Sequence, residues 1–185
     1  NESGRKMWIT SLKGGGLGGY DIHESELTSQ GWSEPHNPGM PLNSKMHDGA
    51  PSLTADETTM YLMRCETMDR LKASGCKLMV AKKNYRGVWE EPTELPPHIN
   101  TGNSQVPRIL GDGKTLIFSS DKFPNGKGGM DLYETRYDGT TWSKPVPLAF
   151  ANTEKDDQFV SASSLGRHLM KDQPGARSTE IVELL

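Results

Sequence analysis

Apolar residues along this chain come in short runs, each cut off by a turn signal. The clearest stretch runs from Gln105 to Pro145. There Leu116-Ile117-Phe118 follows the turn pair Asp112-Gly113, which suits a β-hairpin. Gly128-Gly129 turns the chain into Met130-Asp131-Leu132-Tyr133. Asp138-Gly139 then turns it toward Trp142-Ser143-Lys144-Pro145, a fourth strand that proline stops. Four short strands joined by tight turns predict one antiparallel sheet.

The same order of signals recurs. Trp-x-x-Pro stands at Trp32 to Pro35, Trp89 to Pro92 and Trp142 to Pro145, 57 and 53 residues apart. Gly-x-charged-apolar stands at Gly19 to Ile22, Gly75 to Leu78 and Gly129 to Leu132, 56 and 54 residues apart. A third marker, Asn followed by Ser or Thr, stands at Asn43, Asn100 and Asn152. Three markers that hold one period and one order indicate a repeat. The predicted units cover about residues 6–35, 48–92, 104–145 and 157–185. Met7 to Ser11 matches Leu116 to Ser120, so the first unit reads as lacking its first strand. Gly166 to Met170 replaces Gly113 to Ile117, and Glu180 to Glu183 is the third strand of the last unit. Trp32, Trp89 and Trp142 are expected to pack equivalently, each against its own unit. Because the outer units are partial, further repeats or a partner are expected to cover their open faces.

A four-stranded unit of roughly 40–50 residues repeated around an axis predicts an all-β fold. The expected architecture is a β-propeller of four-stranded antiparallel blades, about four of them or part of a larger ring. Composition agrees: hydrophobic residues make up only 33%, with 20 Gly and 12 Pro. That is lean for one globule but suits stacked sheets rich in turns. No stretch approaches the roughly 20 apolar residues of a spanning helix. A net charge of −3 without a basic cluster removes the electrostatic case for nucleic acid.

The chain beyond its first few residues resembles the WD-repeat-like propeller repeats of bacterial envelope proteins. Pro107, Asp112, Gly113, Leu116, Phe118, Ser119, Ser120, Asp121, Gly128, Gly129, Asp131, Leu132, Tyr133, Trp142 and Pro145 match that family's pattern. Unit two departs from it, with Met63-Arg64-Cys65 for Phe-Ser-Ser and Lys77 for the aspartate. Periplasmic propellers of the Tol system share this architecture, and such repeats often precede an OmpA-like peptidoglycan-binding domain. The resemblance implies an envelope protein, periplasmic, outer-membrane-associated or secreted, but it implies no activity, because function sits in sites grafted on a fold.

Candidate chemistry is sparse. Gly14 to Gly19 contains G-x-G-x-x-G, yet a strand follows where a dinucleotide site needs a helix. Gly113-Lys114-Thr115 fails as a phosphate loop because Arg108 stands where the first glycine is required. Tyr137 to Trp142 has Gly directly after Asp, out of register for the Asp-box turn of sialidase-like propellers, and reads as a hairpin turn. His23, His36, His47, His98 and His168 are scattered without ligand spacing, so no metal or cofactor is assigned. His47-Asp48, Asn103-Ser104 and Asp156-Asp157 hold equivalent places before the first strands of successive units. They should ring one rim of the channel. There they either bond turn amides and tie blades together or form a polar ligand or cation site. Cys65 and Cys76 flank the excursion of unit two. A disulfide closing that loop is expected, with two separate half-buried thiols as the alternative.

These features point first to a non-catalytic envelope propeller, a scaffold for a protein, cell-wall or glycan partner. The alternatives are a propeller-type hydrolase (a glycosidase or the propeller portion of a peptidase) and a sugar- or calcium-binding module. A catalytic set should break the repeat, whereas repeat-equivalent polar residues favour scaffolding.

Overall fold

The computed structural model describes residues 4–12, 16–69, 72–162, 168–172 and 180–183, with side chains up to residue 160. All strand pairing among them is antiparallel. Blade I is formed by β1 (Lys6–Ser11), β2 (Asp21–Thr28) and β3 (Gly31–Trp32). Blade II contains β4 (His47–Leu53) and β5 (Thr59–Cys65), then the two-stranded excursion β6 (Thr67–Asp69) and β7 (Lys72–Ser74), then β8 (Lys77–Lys82) and β9 (Thr93–Glu94). Its sheet order is β4-β5-β8-β9. Blade III is β10 (Gln105–Ile109), β11 (Thr115–Ser120), β12 (Asp131–Arg136) and β13 (Val146–Pro147), in that order. Blade IV is β14 (Gln158–Ala162), β15 (His168–Asp172) and β16 (Glu180–Glu183).

The turns form for local reasons. Asp112 Oδ1 accepts the backbone N–H of Lys114 (2.9 Å) and Thr115 (2.8 Å), and Gly113 supplies the positive φ of 65°. Asp138 caps the next hairpin in the same way through Thr140 and Thr141. The out-of-register Asp-box is therefore a plain capped hairpin.

Successive sheets stack face to face. Strand β4 lies against β1 and β2, β10 against β4 and β5, and β14 against β10 and β11. Each junction is an apolar layer. Ile22, Leu42, Met60, Leu62, Met79 and Ala81 fill the first. Tyr61, Leu78, Ile99, Val106, Leu116 and Phe118 are among those filling the second. Ile117, Leu132, Leu148, Ala151 and Val160 fill the third. Because both faces of a middle strand are covered, β11 is buried at all six positions.

Three details differ from the expectations. The fourth strand is not Trp142 to Pro145. Trp142 makes an isolated bridge with Tyr137, Pro145 interrupts the ladder for want of an N–H, and pairing resumes at Val146–Pro147. Second, β5 pairs Arg64 with Lys77 as β11 pairs Ser120 with Asp131. Met63-Arg64-Cys65 therefore stand at Ser119-Ser120-Asp121, one position later than the pattern suggested. Third, the tryptophans reach beyond their own blades. Trp89 packs edge-on to Trp8 of blade I (6.2 Å between centroids) and Trp142 edge-on to Tyr61 of blade II (5.9 Å). Strand register places Trp8 and Tyr61 at one position of the repeat. Trp32 has no described blade before it and remains 47% exposed.

Candidate functional site

The polar positions singled out by the repeat lie at the blade junctions. Where β4, β10 and β14 begin, a side chain at or just before the strand start accepts a hydrogen bond from the residue just ahead of the repeat's third strand in the previous blade. Tyr20 N–H donates to His47 Nδ1 (3.2 Å), Cys76 N–H to Asn103 Oδ1 (3.0 Å) and Met130 N–H to Asp156 Oδ1 (2.9 Å). Backbone bonds return across each junction, from Asp48 N–H to Tyr20 O (2.8 Å), Ser104 N–H to Cys76 O (3.2 Å) and Asp157 N–H to Met130 O (2.6 Å). Each junction therefore has a two-bond staple.

The next residue holds the turn that leads into the strand. Asp157 accepts from Thr153 N–H (2.6 Å). Asp48 accepts from Ser44 N–H and Oγ (both 2.7 Å) and from Arg64 Nε (2.6 Å). Asp48 is fully buried, so its charge needs that guanidinium. Arg64 also donates to Leu42 O (3.2 Å). In blade III the equivalent pair is neutral, Ser104 Oγ donating to Ser120 Oγ (3.4 Å).

The asparagine marker has a specific job. The Asn43, Asn100 and Asn152 side chains each accept from one backbone N–H and donate to the carbonyl of the same residue. Those residues are Ile22 (2.8 and 2.8 Å), Leu78 (2.8 and 3.0 Å) and Leu132 (2.8 and 3.0 Å). Ile22, Leu78 and Leu132 occupy one position of the third strand, so the amide imitates a strand partner beyond the end of the ladder. The marker was visible in the sequence; its partner, on another strand about 20 residues away, was not.

Two further carboxylates stand in the sequence within the glycine marker, Asp131 also within the repeat pattern, but neither is singled out there as a site residue. Asp21 Oδ2 accepts from Leu17 N–H (3.0 Å) and Asn37 Nδ2 (3.2 Å), and Asp131 Oδ2 from Lys127 N–H (2.9 Å) and Gly128 N–H (3.0 Å). In each residue Oδ1 is buried without a hydrogen-bond partner. Lys77 holds the same position in blade II and donates to Asn100 O (3.0 Å).

One element on this rim breaks the repeat. Cys65 and Cys76 are joined by a disulfide, and between them β6 and β7 form a hairpin with Met68 opposite Ala73. Met68 and Ala73 pack on the layer between blades II and III. Asn103 Nδ2 (2.9 Å) and Gln105 Nε2 (3.3 Å) donate to Ala73 O, so the hairpin leans over the start of β10.

Among the described side chains the structure does not gather the histidines. His23 Nδ1 lies 3.1 Å from Asp21 O, His36 Nε2 lies 3.2 Å from Glu24, and His98 Nε2 lies 3.1 Å from Trp142 O. His168 lies beyond the residues with described side chains. Among the described residues no three His, Cys, Asp or Glu side chains converge as a metal site, and no helix is long and apolar enough to cross a membrane.

No protein-family model and no curated protein matches the chain. Solved structures do. TolB from Acinetobacter baumannii aligns with a TM-score of 0.57 at 14% identity, over 97% of this chain and 38% of that one. A putative TolB from Agrobacterium tumefaciens aligns at 0.57 and 16%, over 98% and 58%. The tricorn protease aligns at 0.53 and 14%, over 92% and 19%. This chain therefore spans less than two thirds of either TolB structure. At such identities the shared property is the fold, and the chain is a run of β-propeller blades.

Proposed function

We propose that this chain is a non-catalytic β-propeller scaffold of the cell envelope, binding a protein or glycan partner through the rim that carries the β6–β7 hairpin. One observation carries the reading. The repeat-equivalent polar side chains at His47, Asp48, Asn103, Asp156 and Asp157 each hold a neighbouring blade or turn. What that rim adds to the repeat is a hairpin with the exposed side chains of Thr67, Asp69, Lys72 and Ser74, braced by a disulfide. A braced, exposed element that departs from a repeat is a natural recognition surface. The disulfide and the likeness to TolB support a periplasmic or other exported setting. Kinship with the WD-repeat-like envelope repeats, and an OmpA-like domain in the same protein, belong to the same proposal.

The test pairs a photocrosslinker at Asp69 with one at Asp138 on a 3–4 hairpin turn, alongside panels of peptide and glycoside substrates. The scaffold reading predicts one defined envelope adduct from Asp69, none from Asp138, and no turnover. Turnover abolished by a single rim substitution would favour the hydrolase reading instead.

A sugar- or calcium-binding module is the second reading, supported by the unpartnered Oδ1 atoms of Asp21 and Asp131. A calcium-dependent rise in melting temperature, lost in Asp131→Asn, is its expected signature.

A further inference from the structure

We propose that His47 makes the junction between blades I and II sensitive to protons, while the next two junctions, built on the same plan, are not. The N–H of Tyr20, Cys76 and Met130 meets a side-chain acceptor at one position of the repeat, and the acceptors are His47 Nδ1, Asn103 Oδ1 and Asp156 Oδ1. An amide oxygen accepts at any pH, and a carboxyl group keeps an acceptor oxygen even when protonated. An imidazole nitrogen accepts only while the ring is neutral and its proton sits on Nε2. Protonating Nδ1 turns two partners 3.2 Å apart into two opposed donors.

One side of the partly exposed ring is closed off, since it lies against the backbone of Gly19, where a Cβ would collide with the imidazole. The Tyr20 ring stands 6.1 Å away at a tilt. The reciprocal bond from Asp48 N–H to Tyr20 O (2.8 Å) does not titrate and keeps the two strands adjacent. Protonation therefore loosens one half of this staple and leaves the blade in place.

Charged and titratable residues flank the ring's contacts along the chain and across the strand pairing of His47 with Cys65. On the blade I side these are Tyr20 and Asp21, at the head of β2. On the blade II side they are Lys45 in the preceding turn, Asp48 on β4, Arg64 on β5 and Glu66 just beyond it. Asp48 and Arg64 are paired with each other (2.6 Å), and Asp21 Oδ2 is held by Leu17 and Asn37. The Tyr20 N–H is held by His47 Nδ1, and an imidazolium leaves it without that acceptor. Acidification through the imidazole range thus selects one junction of three, the one that carries blade I.

Amide hydrogen exchange on the whole chain tests this, because the molecule contains its own controls. Protection factors of Tyr20, Cys76 and Met130 are compared from about pH 8 to about pH 5, spanning the ordinary imidazole value of about 6.5. The protection of Tyr20 should fall several-fold to about tenfold against the other two, the factor that one net hydrogen bond supports. In His47→Asn, which installs the residue type of Asn103, the Tyr20 amide should stay protected throughout, and the pH-dependent difference should vanish. Imidazole ¹⁵N shifts of the wild type near pH 8 should show the proton on Nε2. A constant ratio of Tyr20 to Cys76 protection across the range, the same fall in His47→Asn, or an Nδ1–H tautomer would each overturn the proposal.

Discussion

Blades II and III share one backbone plan and differ at nearly every polar position on the junction rim. Blade III has neutral Ser104 and Ser120 in contact, Asp131 capping its glycine loop, and Asp121 and Met130 flanking a single turn. Blade II replaces these in turn with the Asp48–Arg64 pair, Lys77 and the Cys65–Cys76 disulfide. The substitutions compensate one another. A buried acid is matched by a partly buried base, and a lengthened excursion by a covalent tie at its root. The comparison teaches that a blade tolerates departure from its repeat when each departure is closed locally. It also shows that the element left over, the β6–β7 hairpin, is where new recognition is free to develop.

The largest effect should come from breaking one half of the charged pair. Arg64→Ala strands a fully buried Asp48 and should cost about 3–5 kcal/mol in chemical denaturation. Installing the blade III pair, Asp48→Ser with Arg64→Ser, should recover most of that loss, and no recovery would show that the two pairs are not equivalent. Next come the tryptophans. Trp89→Ala and Trp142→Ala each remove an inter-blade aromatic contact and should cost about 3 kcal/mol, while Trp32→Ala should cost under about 1 kcal/mol. Equal losses at all three would contradict packing on the preceding blade. Replacing Cys65 and Cys76 together by Ala reopens the excursion and should cost about 2–3 kcal/mol. Non-reducing peptide mapping should recover the linked pair from the parent chain.

The smallest effect concerns the turns. Burial pushes the Asp112 carboxyl upward, but hydrogen bonds from Thr115 and Lys114 outweigh it and hold the group below the usual carboxylate value. A depressed folded value means that this stabilisation is complete above the unfolded carboxylate range. It is lost as pH falls through the folded value. Asp112→Asn should therefore flatten the acid limb of the stability profile below about pH 4, and an unchanged limb would remove Asp112 from the account.

The architecture was legible in the sequence because turn residues and the tryptophan, glycine and asparagine markers all kept one period. The exact course of the fourth strand was not. Trp142 and Pro145 looked like one strand, yet the proline breaks the ladder and the pairing shifts to Val146. The direction in which the tryptophans pack was also hidden, since a repeat states that positions are equivalent but not which neighbour each one faces. The rim residues could be aligned from sequence, whereas the partners of His47, Asn103 and Asp156 lie on the previous blade, where spacing carries no information.

The central claim is that the repeat-equivalent asparagines are spent on architecture in the same way at each described junction. It is tested most directly by measuring the unfolding free energies of Asn43→Ala, Asn100→Ala and Asn152→Ala in parallel. Each substitution removes the paired bonds to Ile22, Leu78 or Leu132 and leaves a buried N–H and C=O without the amide. The account predicts three similar losses of about 2–3 kcal/mol. One large loss beside two negligible ones would contradict it.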